Sequence, residues 1–284
     1  MGAVAALASS SRRREFLFTE EDFQTIRGMV REHTGIALSE AKRDLVYSRL
    51  ARRIRARGLT SFAEYLEILR DEGEEEFEQF TNAITTNLTS FFREAHHFDF
   101  LAEELLPSLM ERKRERVIRI WSAGCSTGEE PYSIAMTAAE VVPPEWNVRI
   151  LATDIDSSVL ERAARGVYAL DRIESLPLER KKRWFLRGRG SNQGMVRVSP
   201  LLRRMVSFRR LNLMESWPMR GPLDMIFCRN VLIYFDKPTQ AMVVNRFAEL
   251  LPGGHHLFLG HSETLHSVTD RFRLIGKTIY SREK

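Results

Sequence analysis

The stretch Ile118 to Ser133, IRIWSAGCSTGEEPYS, decides how the rest of the chain is read. Val117, Ile118, Ile120 and Trp121 suit a buried strand, Gly124 and Gly128 permit a tight turn, and Pro131 fits the first position of a following helix. A strand, a glycine loop and a helix start in succession are the entry to an α/β nucleotide-type fold, with loop amides pointing into a crevice. Glycine turns also occur in ordinary strand-to-helix connections, so the loop needs a second cue.

The loop lacks the lysine and the spacing of a phosphate-binding loop, and Glu129 and Glu130 would repel a pyrophosphate. Two carboxylates there suit a cofactor with positive charge, and S-adenosylmethionine carries an ammonium and a sulfonium. The second cue is Val148 to Thr153, another apolar run ending in Asp154 and Asp156. An acid at the end of a second strand accepts hydrogen bonds from ribose hydroxyls, although Asp154 equally suits a helix N-cap.

Outward from this core, Val117–Ser122, Pro131–Val141, Val148–Thr153, Ser157–Arg165, Leu223–Cys228, Lys237–Leu251 and Leu257–Gly260 alternate strand and helix patterns. That rhythm predicts a mostly parallel sheet covered on both faces, with Phe272–Ser281 closing one edge as a hairpin. Residues 166–211 break the rhythm as a basic, glycine-rich insert containing RGRGSNQG at Arg187–Gly194. Thr19 to Asn87 shows only helical periodicity, with Phe23, Ile26 and Val30, then Leu45, Leu50 and Ile54, then Phe62, Tyr65, Leu66 and Leu69 on successive faces. Thr19 with Asp22, Ser39 with Lys42, and Thr60–Ser61 read as helix starts.

The chain has 284 residues, 43% hydrophobic, with a net charge of +5, enough for one large domain and one smaller one. No apolar run approaches a membrane span, residues 1–14 read as a disordered tail, and a cytoplasmic protein is expected. Cys125 and Cys228 have no ligand or disulfide spacing. His96–His97 and His255–His256 are adjacent pairs whose side chains should point apart, so no metal is expected.

Positive charge concentrates on one predicted helix, where Lys42, Arg43, Arg49, Arg52, Arg53, Arg55 and Arg57 face only Asp44. Arg49, Arg52, Arg53 and Arg57 share much of one face and could dock an acidic surface, either nucleic acid or an acidic helical protein, or simply meet solvent. Two further segments combine polar and aromatic groups: TNLTSFFRE at Thr86–Glu94, and LDMIFCRNVLIYF at Leu223–Phe235, an apolar strand tipped by Arg229–Asn230 and followed by Tyr234. In open α/β sheets ligands bind beyond the carboxyl ends of strands, which gives Asn230 and Tyr234 weight as site residues.

Taken in order, TNLTSFFREAHHF, WSAGCSTGEEPYS, ATDID, FCRNVLIYFD and GHSE resemble the chemotaxis receptor methyltransferases of the CheR family, from about residue 15 to the end. The resemblance implies a helical receptor-docking domain at 15–87. It further implies a Rossmann-like class I S-adenosylmethionine-dependent methyltransferase domain at 88–284, with a small β-rich insert at 166–211. It implies cofactor contacts from Asn87, Thr89, Arg93, Ala123, Glu129 or Glu130 (Glu130 favoured), Asp154, Asn212, Leu213, Arg229 and Asn230. The implied reaction methylates chemoreceptor glutamates, leaving S-adenosylhomocysteine, with Arg49, Arg52, Arg53 and Arg57 docking the receptor's cytoplasmic helical region. The glycines at 188, 190 and 194 resemble those of relatives that also hold a receptor's C-terminal pentapeptide. Arg93 and Tyr234 are expected to place the substrate carboxylate, with Phe91 or Phe92 as apolar wall. A nucleic-acid methyltransferase and a non-enzymatic cofactor-binding adaptor are the alternatives; against the first, Arg229–Asn230–Val231–Leu232 stands where amino-group DNA methyltransferases often carry Asn/Asp-Pro-Pro-Tyr/Phe.

Overall fold

The computed structural model describes residues 14–71 and 73–283. The expected tail therefore lies outside the described residues, except for Arg14, whose guanidinium pairs with Asp44 at 2.5 Å. The chain divides into two compact units, one of residues up to Met29 with Ser39–Ile84, the other of Val30–Leu38 with Thr85–Lys284.

The smaller unit is helical: the first part of α1 (Glu20–Thr34), then α2 (Arg43–Ala56), α3 (Phe62–Asp71) and α4 (Glu74–Ile84). Phe23, Ile26, Leu50, Ile54, Phe62, Tyr65 and Phe80 are wholly buried, as their 3.6-residue spacing requires. A reciprocal capping pair opens α1: Asp22 Oδ2 accepts the Thr19 amide at 2.8 Å and Thr19 Oγ1 accepts the Asp22 amide at 3.0 Å. Thr60 and Ser61 precede α3 in a similar exchange with Glu64. Ser39 differs: it makes no side-chain cap, and a 3-10 turn at Glu40–Lys42 leads into α2 instead.

In the larger unit α5 (His96–Phe100), a π-helical stretch Leu101–Leu105 and α6 (Leu106–Arg112) lead into the sheet region. There β1 (Val117–Ala123), α7 (Glu129–Val141), β2 (Asn147–Asp154) and α8 (Ser157–Arg165) follow in turn. Next come β3 (Val167–Ala169), α9 (Leu178–Trp184), β4 (Phe185–Arg187), β5 (Met195–Val198), α10 (Pro200–Met205) and β6 (Val206–Arg210). The chain ends with β7 (Met225–Cys228), α11 (Lys237–Leu250), β8 (His256–Leu259), β9 (Phe272–Gly276) and β10 (Ile279–Arg282).

Seven strands form one sheet in the order β6-β2-β1-β7-β8-β10-β9. The first five run parallel, and β10 is antiparallel to both of its neighbours, β8 and β9. The hairpin closes the sheet as expected, but its second strand β10 lies inside and β9 forms the edge. Strand alternation sends Ile118, Ile120, Met225, Phe227 and Phe258 into one core. Trp121, Ala123, Ile226, Cys228, Leu257 and Leu259 enter the other, so both faces are covered. The order reverses between β1 and β7, which makes their carboxyl ends the switch-point crevice of an open α/β sheet.

Two boundaries and one pair of side chains depart from the sequence reading. Helix α7 begins at Glu129 behind Gly128 in left-handed conformation, so Pro131 is its third residue, a position equally free of any intrahelical N–H partner. The insert ends before Val206, because β6 pairs with β2 from Ile150↔Val206 to Asp154↔Arg210 and belongs to the main sheet. With only Val206 of β6 buried, this edge strand carries almost no apolar signal. The insert proper folds as its own small antiparallel sheet, β3-β5-β4. The rings of His96 and His97 also lie together, centroids 4.2 Å apart, both Nε2 atoms 3.1 Å from the Lys277 carbonyl. They sit in the first turn of α5, and the shared Lys277 carbonyl draws both rings to one side.

Candidate functional site

The switch-point crevice is built by three segments of the larger unit. The first is the loop after β1. Gly124 and Gly128 have φ values of 84° and 96°, which only glycine adopts freely, and a Cβ on Gly124 would collide with Val231. The loop crosses the end of β2: the amides of Gly124 and Cys125 donate to the Thr153 carbonyl at 2.8 and 2.9 Å, and that of Gly128 donates to the Cys125 carbonyl. The Ser126 amide donates to Asp154 Oδ2 at 2.8 Å. These four amides are thus consumed in shaping the turn, and the expectation of free amides aimed into the crevice does not hold for them. Ala123, wholly buried, ends β1.

Asp154 is nine-tenths buried and binds the Ser126 amide with one oxygen and the Asp156 amide with the other. Burial pushes its carboxyl up to about 6, the amides of Asp156, Ser126 and Ile155 pulling the other way. With about four acceptor sites on a carboxylate, Asp154 keeps capacity for a hydroxyl donor. Capping belongs to its neighbour: Asp156 accepts the amides of Ser158 and Val159 at the start of α8.

The two adjacent glutamates are both buried and both already paired. Glu129 accepts from Thr127 Oγ1 at 2.6 Å and from the Arg172 guanidinium. Glu130 accepts from Ser122 Oγ at 2.7 Å and meets Arg229 Nη1 at 3.2 Å, while burial pushes its carboxyl up against the pull of Arg229. Neither is the bare carboxylate that the sequence suggests.

The second segment, Thr86–Glu94, lies across the loop by its carbonyls. Asn87 O accepts from Ser126 Oγ at 3.0 Å, Thr89 O accepts from Arg172 Nη2 at 2.7 Å, and Arg93 O accepts from Arg229. The Asn87 side chain donates through Nδ2 to Asp156 Oδ2 at 2.7 Å, and the Phe92 backbone amide donates to Ser133 Oγ at 3.0 Å. Phe91 is buried edge-on to Tyr168 and Phe185, and Phe92 lies under the Arg180 guanidinium, 4.3 Å from its ring centroid. Both rings therefore serve packing. The Arg93 guanidinium donates to the Leu88 carbonyl at 3.0 Å and is partly exposed.

The third segment is the tip of β7. Arg229, with only 2% of its side chain exposed, sits between Glu130 and Glu94, 3.2 Å from each. Glu94 also accepts from His261, from its backbone amide at 3.2 Å and from Nδ1 at 2.9 Å. Burial raises the Glu94 carboxyl, but the His261 contacts and the Arg229 charge overcome it and hold it down at about 2. Asn230 takes a φ of 59°. Tyr234 lies beyond it, its hydroxyl 3.5 Å from the Thr86 carbonyl. Past the end of β6, the Leu211 amide donates to the Asp154 carbonyl, Asn212 accepts the Met214 amide and donates to His33 O at 2.5 Å, and Leu213 is buried.

Asn87, Thr89, Arg93, Ala123, Glu129, Glu130, Asp154, Arg229 and Asn230 are thus joined around one end of the sheet. Arg172, Glu94 and Glu263 belong to the same network and were missed by the sequence reading, which named Asp156 only as an acid at the end of the second strand. Glu94 and Glu263 stood inside quoted blocks, whereas nothing local marks Arg172 as the partner of a glutamate in a distant helix.

The arginine row on α2 divides by role. Arg53 binds Glu76 side-on, Nη2 donating to both carboxylate oxygens at 2.7 and 2.8 Å and Nε to Oε1 at 3.2 Å, and Arg57 stands 3.5 Å from the same carboxylate. Glu76 is 3% exposed and also accepts from Tyr65 Oη at 2.8 Å. Arg49 donates to the Ile84 carbonyl, and Arg52 is exposed. The charges of Arg53 and Arg57 are therefore committed inside the helical unit.

The family described as CheR methyltransferase, SAM binding domain, matches residues 87–281, and the one described as CheR methyltransferase, all-alpha domain, matches 21–85. Chemotaxis protein methyltransferase 2 of Pseudomonas aeruginosa is 51% identical over 94% of this chain and 95% of its own length. The chemotaxis protein methyltransferase of Salmonella typhimurium is 43% identical over 100% and 96%. That of Escherichia coli is 44% identical over 94% and 92%.

Proposed function

The chain belongs to the CheR family of S-adenosylmethionine-dependent methyltransferases acting in chemotaxis, and from that premise we propose that it esterifies glutamate side chains on the cytoplasmic helical region of a chemoreceptor. The observation that carries this reading is the meeting of the Thr86–Glu94 segment, the glycine loop and the β7 tip around Asp154 and Arg229.

The donor set fits the cofactor. Asp154, at the carboxyl end of β2, offers carboxylate oxygen for ribose hydroxyls. Asn87, Thr89, Arg93, Ala123, Asn212, Leu213 and Arg229–Asn230 would complete the lining. When bound, S-adenosylmethionine supplies an electrophilic methyl group and leaves as S-adenosylhomocysteine. The accepting glutamate has an ordinary pKa near 4.3 and is ionised at neutral pH, so this chain need not remove a proton. Its work is orientation and charge placement. Arg93 and Tyr234, on the two segments that face each other beyond the sheet, would hold the substrate carboxylate.

Incubation with radiolabelled S-adenosylmethionine and receptor-bearing membranes should give base-labile label on glutamate. Base-stable label, or salt-sensitive labelling of nucleic acid, would overturn the reading.

A pH dependence follows from Asp154. Hydroxyl donors favour the ionised carboxylate, so binding lowers its pKa and affinity must fall as pH drops through about 6. Cofactor Kd should rise about tenfold per pH unit below that point, and the Asp154→Asn protein should bind weakly with no such slope. A flat calorimetric profile for the unaltered chain would remove Asp154 from this role.

The receptor's C-terminal pentapeptide is assigned to the insert. Strand β4 lies at an edge of the β3-β5-β4 sheet. Beside it, Leu170, Arg187, Gly188, Gln193 and Met195 help to line a concavity of about 530 Å³. An extended peptide can add to such an edge through main-chain bonds while arginines meet its carboxylate. A Cβ on Gly188 would lie 2.9 Å from the Asn192 carbonyl carbon, so Gly188→Ala should displace the turn and reduce pentapeptide affinity at least tenfold in calorimetry. No binding by the unaltered chain would sink the assignment.

A further inference from the structure

The Gly260–Glu263 turn, GHSE, follows β8, next to β7 in the sheet, and neither Gly260 nor Glu263 has a part in the reaction described above. Glu263 is 5% exposed and points its carboxylate at backbone N–H groups. Oε2 accepts the Asn230 amide at 2.8 Å and the Gly260 amide at 2.6 Å, and Oε1 accepts the Ile233 amide at 3.2 Å. The turn is closed by the Glu263 amide donating to the Gly260 carbonyl at 2.9 Å.

This carboxylate does more than satisfy buried amides. Asn230 stands at a φ of 59°, the left-handed region, which asparagine tolerates better than other non-glycine residues but does not adopt by default, so its surroundings help to fix it. Glu263 grips the chain at Asn230 and three residues later, on both sides of the bend that the left-handed residue creates. Gly260 lies against the same residue: a Cβ there would be 2.7 Å from Asn230 Cγ and 2.8 Å from its backbone nitrogen. Gly260 does not have a positive φ, so its side-chain-free surface serves contact and not backbone freedom. His261 reaches Arg229 by a second route, through Glu94.

We propose that Glu263 and Gly260 are positioning residues for cofactor binding: together they clamp Asn230 in its left-handed conformation at the switch point. This rests on the reading that Asn230 contacts S-adenosylmethionine. A glutamine at position 263 keeps one acceptor oxygen and turns an amide NH₂, a donor, toward backbone donors, so Glu263→Gln should break the clamp with little change in shape. Gly260→Ala attacks the other jaw without touching any charge.

Both proteins, as full chains, are to be titrated calorimetrically with S-adenosylhomocysteine and assayed with varied S-adenosylmethionine and receptor. The expected result is at least a tenfold rise in product Kd and in the KM for S-adenosylmethionine, with receptor KM and kcat at saturating cofactor retained. A merely structural role would lower the active fraction, and so kcat, without that selective rise. Should Glu263→Gln fail to fold, Gly260→Ala decides. Unchanged product affinity in either folded variant overturns the clamp, as does a loss confined to kcat. Asn230→Ala separates the two levels: if it binds S-adenosylhomocysteine normally, the cofactor role of Asn230 falls and the clamp with it; if it loses binding while Gly260→Ala does not, the clamp alone falls.

Discussion

Arg229→Met is expected to destabilise the larger unit by about 3–5 kcal/mol and to abolish cofactor binding, because the change leaves buried carboxylates without their counter-charge. Methionine fills much of the volume of arginine's stem, so lost packing contributes little. The loss comes from Glu130 and Glu94, 9% and 10% exposed in their side chains, which both lean on the same guanidinium. Removing it also frees the Arg93 carbonyl and so loosens the Thr86–Glu94 segment over the crevice.

The deficit has a pH signature with a definite sign. Burial already pushes Glu130 upward, and without Arg229 only the Ser122 hydroxyl works against that push. A carboxyl whose folded pKa exceeds its unfolded value favours the fold at low pH and loses that advantage as pH rises through the folded value. The variant should therefore recover part of its stability near pH 5 and be worst near pH 8. Thermal unfolding across that range measures this; a deficit below about 1 kcal/mol at pH 8, far short of a broken buried pair, would show that Arg229 is not the keystone of the network.

The second large effect separates two arginines one residue apart. Arg53→Glu sets a carboxylate against Glu76, itself 3% exposed, and is expected to cost the helical unit about 3–5 kcal/mol. Arg52→Glu changes an exposed side chain and should alter stability by no more than about 0.5 kcal/mol. If the α2 surface docks the receptor, Arg52→Glu raises receptor KM with cofactor Kd unchanged, while Arg53→Glu unfolds the docking unit itself. A folded Arg53→Glu protein with wild-type stability would show that the Arg53–Glu76 pair does not hold the helices together. Unchanged kinetics in Arg52→Glu would take that residue out of docking.

These two arginines also show where reading the sequence stops. The helix, its apolar face and its charge are written in neighbours three and four residues apart, and all are visible in the chain. The partner that commits Arg53 lies 23 residues away on α4, and no local pattern announces it. Arg172 and Glu129 are 43 residues apart and meet only because the insert folds back beside the glycine loop. Strand β6 was lost in the insert because an edge strand buries so little that its periodicity fades.

By itself the sequence determined the succession of helical unit and alternating sheet, the glycine loop at the end of β1, the acid at the end of β2 and the family to which those blocks belong. Each is a short-range signal, carried by side-chain periodicity, by glycine's freedom in a turn or by contiguous blocks. The tertiary structure alone decided which charges are spent. It neutralised Glu130 with Arg229 and Glu129 with Arg172, consumed the loop amides on Thr153 and Asp154, and set Glu263 behind Asn230. The reason is physical: a buried charge or amide must find a partner, and which partner is within 3 Å depends on how distant segments pack, not on what stands next in the chain.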